Sequence, residues 1–291
     1  MSAVLEQLVE LHNLETIEQG LYRGQSQDLG FGHVFGGQVI GQALAAAKRT
    51  VEASRGITSL HTYFLLPGDV SLPIVYDVEV IRDGGSFSTR RVKAIQKGRP
   101  IFYMTCSFQE PEEGFEHQTQ MPEVNGPEGL LNSQQLAQAM VGKVPARSLA
   151  MWLAEGPIEM RPLNPVNPVK PEKLPAVNRV WFRANGTLPD DPRLHKYLLA
   201  YVSDFNFLTT TLLPHGVGFM TPGVRMATID HSMWYHRDVN LNDWILFESE
   251  STSASGGRGL VHGKFYDPQG KLLVSASQEG LIRFNPPESQ G

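Results

Sequence analysis

Apolar and polar positions predict the same succession of elements twice along the chain. In each half, apolar residues first recur at helical spacing and then alternate with polar residues, which is typical of a helix followed by half-buried strands. The first helix is expected to begin at Gly36-Gly37 and the second to span 195–211. Clusters of Pro, Gly and Asp, such as 67–69 and 267–270, mark turns between strands. The residues therefore predict an α+β protein in which each helix lies on one face of an antiparallel sheet.

A five-residue segment in the strand regions also recurs. Segment 60–64 (LHTYF) corresponds to segment 230–234 (DHSMW). We expect the two sheets to join edge to edge into one continuous sheet, because pairing hides exposed strand edges. The two segments differ in their polar residues, so one copy is expected to carry the chemistry, at a site where the two halves meet.

The repeat divides the chain into three parts. Residues 1–110 are expected to form an N-terminal subdomain and residues 178–291 a C-terminal one. The intervening stretch, 111–177, holds ten of the chain's twenty prolines. It is therefore predicted to be a linker over the surface, with one helix near 134–154.

Composition narrows the functional classes. A formal net charge of −5 over 291 residues disfavours a sequence-independent nucleic-acid binder, which needs a basic excess. The single cysteine, Cys106, allows no intrachain disulfide, and the nine histidines lack metal-ligand spacing. Residues 1–14 predict a short amphipathic helix rather than a signal peptide, and no apolar stretch approaches the roughly 20 residues that span a bilayer. We expect a cytoplasmic protein without a metal, nucleic-acid or membrane partner.

Three polar residues are candidates for catalysis. Asp204 lies between apolar residues of the second expected helix, where a carboxylate is costly unless it is paired or used. Thr228 and Gln278 lie on expected strands. Asp is the plausible base, and Thr and Gln can hold a water by hydrogen bonds, so the set fits attack of water on a carbonyl. A solvent-facing Asp and two ordinary strand residues are the alternative interpretation.

Two further residues are candidates for contact with the electrophile. Gly37 lies at a helix start, where backbone amides with the helix dipole behind them suit an oxyanion. Close packing of a glycine-rich helix start is the alternative. His61 lies on a strand beside aromatic residues and either touches substrate or is a structural histidine.

Three arginines are candidates for phosphate contacts. Arg90 and Arg91 follow a glycine- and serine-rich turn, and Arg258 follows the corresponding turn in the second half. A cationic site on an acidic protein would suit a nucleotide-bearing substrate. Because successive strand residues face opposite sides, at most one of Arg90 and Arg91 can enter a shared site. A solvated strand face is the alternative.

The chain resembles the bacterial acyl-CoA thioesterase II family over essentially its whole length. The resemblance lies in segments 21–26 (LYRGQS), 34–38 (VFGGQ), 101–105 (IFYMT), 200–204 (AYVSD) and 229–234 (IDHSMW). It implies a double hotdog, in which two antiparallel sheets, each wrapped on a central helix, join edge to edge. It also implies cofactor-free, water-mediated hydrolysis of fatty acyl-CoA.

The resemblance identifies Asp204, Thr228 and Gln278 with the family's catalytic residues, most of them in the C-terminal subdomain. The expected substrate is a medium- to long-chain fatty acyl-CoA. A homo-oligomer, dimer or tetramer, is expected because hotdog sheets assemble back to back. The alternatives are an enoyl-CoA hydratase or dehydratase and a non-catalytic acyl-CoA binding protein.

Overall fold

The computed structural model describes residues 1–286, so the end of the expected C-terminal subdomain, 287–291, lies outside the described residues. The α-helices of the described part are α1 (Ala3–Leu11), α2 (Gly36–Lys48), α3 (Ser133–Gln138), α4 (Ala146–Leu153) and α5 (Pro192–Val202), with a 3₁₀ helix at Leu208–His215. The strands are β1 (Glu15–Glu18), β2 (Leu21–Gly24), β3 (Gly56–Phe64), β4 (Ile74–Asp83), β5 (Phe87–Gln96), β6 (Arg99–Gln109), β7 (Ile158–Pro162), β8 (Val177–Ala184), β9 (Val224–Tyr235), β10 (Ile245–Ser255), β11 (Arg258–Tyr266) and β12 (Leu272–Phe284). Across residues 1–286, every helix is too short or too polar to cross a membrane.

The strands of residues 1–286 form one 12-stranded sheet in the order β1-β2-β4-β5-β6-β3-β9-β12-β11-β10-β8-β7. All its neighbouring strands are antiparallel. The two halves join where β3 pairs with β9, with Leu60 opposite Met233 and Thr62 opposite His231. The recurring segments therefore form the seam of the molecule, and the expected edge-to-edge joining is confirmed.

Helix α2 lies in the core, as its small residues predict. It begins at Gly36, and all its residues from Gly37 to Lys48 are buried. It packs against β4, β5 and β6 on one side and against α5 on the other. Glycine is required where the helices approach closely: a Cβ at Gly41 would lie 3.0 Å from the carbonyl oxygen of Tyr197 in α5. The start of α2 is thereby brought against the end of α5.

The second helix is shorter than expected. It was predicted over 195–211, but α5 ends at Val202, and a turn separates it from the 3₁₀ helix. Asn206 in this turn has a φ of 55°, the left-handed conformation that asparagine tolerates and that interrupts an α-helix. Asp204 therefore lies in a turn just beyond the helix, where its side chain is not confined to a helical face.

The linker also differs from the expectation of one helix near 134–154. Two short helices, α3 and α4, are separated by a turn in which Gly142 has a φ of 73°. Strand β7 pairs with β8, so 158–162 extends the second half of the sheet. Trp181 of β8 donates its indole N–H to the carbonyl of Asn125 at 2.9 Å, which holds the linker against the sheet.

Each half of the sheet contains a β-bulge at the same place. In β9, Asp230 pairs with Glu279 and Thr228 with Gly280, which leaves Ile229 without a partner. The extra residue turns Thr228 and His231, three positions apart, toward the helix side of the sheet. In β3 the bulge falls at Thr58, and Leu60 pairs with Cys106 as His231 pairs with Gln278.

The bulges fix which residues of the two halves are equivalent. His231 corresponds to Leu60, one position from the match that the recurring segments suggested. Thr228 and Gln278 correspond to Ile57 and Cys106. The first half therefore has apolar or weakly polar residues where the second half has hydrogen-bonding side chains.

Candidate active site

The structure brings Asp204, Thr228 and Gln278 together. The Nε2 group of Gln278 donates to Asp204 Oδ1 at 2.8 Å and to Thr228 Oγ1 at 2.6 Å. The three residues come from different elements: the turn after α5, the bulged part of β9 and the middle of β12. Asp204 and Thr228 are partly exposed, whereas Gln278 is buried behind them. A ligand in the open part of the site would meet the carboxylate and the hydroxyl first.

The start of α2 completes the surroundings of Asp204. The backbone of Gly37 and the Thr228 side chain both lie close enough to the carboxylate to lower its pKa. A Cβ at Gly36 would lie 2.6 Å from Asp204 Oδ2, and one at Gly37 would collide with the carbonyl of Tyr201. The glycine pair is therefore needed so that the positive end of α2 can reach the carboxylate.

Burial sets the basicity of Asp204. Desolvation by the surrounding protein raises its pKa to about 7, although the hydrogen bonds from Gln278, Gly37 and Thr228 act in the opposite direction. A base is most effective when its pKa is close to the working pH. At neutral pH a substantial fraction of Asp204 is ionised, and that fraction is a far stronger base than an ordinary aspartate.

A second layer of polar residues lies behind Gln278. His231 is its direct partner in the β9–β12 ladder, and His231 Nε2 lies 3.0 Å from Ser203 Oγ. Both residues are fully buried. Burial lowers the pKa of His231 to about 3, so the ring is neutral and is not the catalytic base. Ser203 was not singled out from the sequence; its position beside Asp204 at the end of an apolar helix was the available signal.

Both halves of the chain match models of one enzyme family. Residues 25–109 match the acyl-CoA thioesterase N-terminal domain, and residues 153–281 match acyl-CoA thioesterase. The Acyl-CoA thioesterase 2 of Haemophilus influenzae is 46% identical over 285 residues, which are 98% of this chain and 100% of that protein. The chain belongs to the acyl-CoA thioesterase family. It is a thioester hydrolase acting on acyl-CoA, and the hydratase and non-catalytic alternatives are not favoured.

Solved structures confirm the fold of the thioesterase. An acyl-CoA thioesterase II from Mycobacterium marinum matches with a TM-score of 0.78 and 38% identity, over 96% of this chain and 98% of that one. A hot dog fold protein of unknown function from Alicyclobacillus acidocaldarius matches with a TM-score of 0.75, over 96% and 98% of the two chains; at 18% identity this likeness concerns the fold alone. The expected α+β double hotdog is confirmed.

The structure places Gly37 at the site and His61 away from it. The Gly37 backbone lies close enough to Asp204 to lower the pKa of its carboxyl, and its role as an oxyanion donor stays a prediction. His61 is exposed, and its Nδ1 lies 3.1 Å from Ser232 Oγ. Its neighbours Leu60 and Thr62 are buried on the helix side, so His61 faces the opposite side of the sheet from Asp204. Strand alternation therefore excludes His61 from contact with the reacting carbonyl.

Arg90 is a structural residue. Its side chain is only 2% exposed. The guanidinium donates to the Thr50 hydroxyl at 2.9 Å, to the Thr50 carbonyl at 2.9 Å and to Asp83 at 2.8 Å. The expectation that Arg90 contacts substrate is therefore corrected, because its donors are already used inside the protein.

Arg91 and Arg258 lie on the outer face of the sheet. Arg91 pairs with Glu79 at 2.6 Å, and Arg258 pairs with Glu279 at 3.0 Å. Glu279 follows the inward-facing Gln278, so its ion pair lies on the face opposite Asp204, Thr228 and Gln278. These two arginines are not brought to Asp204, because alternation along the strand turns them away from it.

Aromatic residues lie beside the site. The rings of Phe35 and Phe205 are 4.3 Å apart, and Phe35 packs edge-on against Tyr201 at 5.2 Å. A Cβ at Gly36 would lie 3.0 Å from the Phe64 ring, which places that ring beside the site as well. Two neighbouring apolar side chains, Phe207 and Met233, are buried in the core, and Trp234 is exposed on the outer face.

Proposed function

We propose that the thioesterase hydrolyses medium- to long-chain fatty acyl-CoA with a water that Asp204 deprotonates. The observation that carries the proposal is that the side chains of Gln278 and Thr228 meet the Asp204 carboxylate, whose pKa burial raises to about 7. The water would lie between the exposed parts of Asp204 and Thr228. Gln278 would act from behind, since its Nε2 group already holds both residues.

The proposed reaction needs only protein side chains and water. Asp204 takes one proton from the water while the oxygen forms a bond to the thioester carbonyl carbon. The tetrahedral intermediate then breaks its carbon–sulfur bond and releases the CoA thiolate. The proton on Asp204 passes to that thiolate, which regenerates the carboxylate and leaves a free fatty acid. The aromatic residues Phe35, Phe64 and Phe205 are proposed to contact the acyl chain.

The proposal is tested by thiol release from acyl-CoA esters of graded chain length. Asp204→Asn should lower kcat by about 10²–10⁴-fold, the usual contribution of a general base. Asp230→Asn is the matched control, because Asp230 is a half-buried aspartate on the opposite face, where it accepts from the Glu279 amide at 3.0 Å. Equal activity of wild type and Asp204→Asn would refute the assignment, and a loss confined to Asp230→Asn would move the base to the other face.

Single-turnover hydrolysis in ¹⁸O-labelled water tests whether Asp204 acts as base or nucleophile. If water attacks the thioester directly, the label enters the fatty acid in the first turnover and Asp204 stays unlabelled. Label in Asp204 would show attack by the carboxylate, with a mixed anhydride hydrolysed afterwards, and would overturn the general-base mechanism.

A homo-oligomer, dimer or tetramer, is part of the same proposal. The outer face of the sheet near the seam exposes two aromatic side chains, with Tyr63 58% and Trp234 37% exposed. Exposed aromatics on a sheet face favour association with another copy. Sedimentation velocity of wild type and Trp234→Ser tests this: a wild type that remains a monomer at micromolar concentration would refute the proposal.

A cytoplasmic location is also proposed. The Cys106 thiol is buried and unpaired, and burial raises its pKa to about 12, so it is kept as an unreactive thiol. A chain whose cysteine serves only for packing is compatible with a reducing compartment. Fractionation of cells that express the tagged protein tests this location.

A further inference from the structure

Two neighbouring buried atoms at the site lack a hydrogen-bond partner. Within residues 1–286, Nδ1 of His231 and Oε1 of Gln278 are both buried and unpaired. The two residues are directly opposite each other in the β9–β12 ladder, and the Gln278 side chain is close enough to affect the pKa of His231. Buried polar groups are nearly always paired in native proteins. Two adjacent orphans therefore indicate a hydrogen bond between them that a small side-chain movement completes.

The proton positions follow from the neighbouring bonds. Gln278 Nε2 carries two hydrogens, and these are committed to Asp204 and Thr228. Its Oε1 can only accept, so His231 Nδ1 must carry the proton. The neutral ring then has a bare Nε2, which must accept from Ser203 Oγ, 3.0 Å away. The same hydroxyl lies 2.8 Å from the carbonyl of Ala200, but its single proton can satisfy only one of them.

We propose that His231 is a positioning residue whose Nδ1–H, fixed by the Ser203 hydroxyl on the other side of the ring, holds the Gln278 amide in its productive orientation. With Oε1 held by His231, the NH₂ group of Gln278 points toward Asp204 and Thr228. A flipped amide would place its oxygen against the Asp204 carboxylate, acceptor facing acceptor. The inference rests on the proposed function, because it acts through Gln278.

The first half of the chain shows that packing alone does not require a histidine here. Leu60 occupies the position equivalent to His231, and it pairs with Cys106 beside the same bulge. Both side chains are buried, with Leu60 0% and Cys106 2% exposed. The strand pair therefore accommodates an apolar side chain at this place. The hydrogen-bonding pair of His231 and Gln278 occurs in the half that holds Asp204.

The first test is His231→Leu, which installs the residue of the equivalent position. We expect kcat for thiol release to fall about ten- to hundred-fold with KM unchanged, because a small misplacement of a catalytic group can cost about a hundred-fold in rate. In a Gln278→Ala background the same substitution should cost little more, because residues that act as a unit are non-additive. Equal losses in both backgrounds, a change in KM alone or activity within about twofold of wild type would overturn the proposal.

Two polar variants decide the matter if His231→Leu does not fold. His231→Asn places an amide N–H near the position of Nδ1 and should retain most of the activity. His231→Gln places its amide near Nε2 and should behave like a loss of the donor. The reverse order would overturn the proposal. If Gln278→Ala itself keeps full activity, the proposed function fails with it; if only the His231 variants keep full activity, the positioning role alone fails.

The tautomer of His231 gives a readout that does not depend on activity. NMR spectra of ¹⁵N-labelled wild type show the ring-nitrogen signals of the nine histidines. The signals that are absent from the spectrum of His231→Leu belong to His231. We expect a protonated Nδ1 and an unprotonated Nε2 in the free enzyme. A proton on Nε2 would leave Gln278 Oε1 without a donor and would refute the proposed arrangement.

Discussion

Replacing Asp204 with asparagine should make the protein less active but, relative to wild type, increasingly stable as the pH rises. Burial raises the pKa of this carboxyl from 3.8 to about 7. The folded protein therefore holds the Asp204 proton more tightly than the unfolded chain does. Below about pH 4 both states are protonated and the carboxyl carries no penalty. Between about pH 4 and about pH 7 the unfolded chain loses this proton while the folded protein keeps it, so the free energy of unfolding falls as the pH rises and levels off above about pH 7.

The size of the effect follows from the shift. Each pKa unit corresponds to about 1.4 kcal/mol, so a shift of about three units gives at most about 4 kcal/mol. The partial exposure of Asp204 reduces this value. Asparagine does not ionise and escapes the penalty. The NH₂ group of asparagine would face hydrogen-bond donors that now interact with the carboxylate, which lowers the stability of the variant. Because this loss is nearly independent of pH, the change of the stability difference with pH is the informative quantity.

Urea unfolding between about pH 5 and about pH 8 measures this slope. The difference in free energy of unfolding between Asp204→Asn and wild type should grow in favour of the variant up to about pH 7 and then level off. Asp230→Asn is again the control: burial also raises the pKa of Asp230, so stability should shift in the same direction while activity is retained.

The pH dependence of activity completes the test. Wild-type kcat/KM should rise with pH and level off above about 7, as expected for a base that must be ionised. The residual activity of Asp204→Asn should lack this rise. A wild-type profile that is flat from about pH 5 to about pH 8, or a stability difference that does not change with pH, would refute the view that Asp204 is a buried base.

Two further predictions concern packing. Gly36→Ala places a Cβ 2.6 Å from Asp204 Oδ2 and should reduce kcat and destabilise the protein by about 1–3 kcal/mol. Gly85→Ala, with open space around the new Cβ, should change neither kcat nor stability. Thiol release measures kcat, and urea unfolding measures stability. Arg90→Ala should destabilise the protein by about 1–3 kcal/mol, because it removes a buried side chain and leaves partly buried acceptors unpaired, and KM for acyl-CoA should not change. Arg91→Ala, at an exposed ion pair, should change stability by about 0.5 kcal/mol or less. A raised KM in Arg90→Ala would restore the phosphate-binding role to Arg90.

The sequence predicted the duplicated helix-and-sheet plan because periodicity and turn residues are local signals. It also identified Asp204, Thr228 and Gln278 as a set. The place of Asp204 in a turn was missed, since the left-handed conformation of Asn206 is a tertiary choice that composition does not reveal.

The side of the sheet that each strand residue faces was also hard to predict. One extra residue at Ile229 changes the alternation, and a bulge leaves no signature in apolar spacing. The recurring segments were consequently matched one position out of register. Arg90 entered the core because its donors find acceptors in Thr50 and Asp83, which only the folded chain brings near.

The contact between the start of α2 and Asp204 joins both halves of one polypeptide at the proposed site. Gly36 comes from the first hotdog and Asp204 from the second, so neither half alone contains the whole proposed site. The exposed stretch around Phe115, ahead of the parts of the linker that pack on the sheet, is a place where the chain could be cut without removing an element. Two such fragments would have to associate from solution, whereas the intact linker makes that step intramolecular. Covalent fusion thus makes the assembly of this active site independent of how dilute the enzyme is.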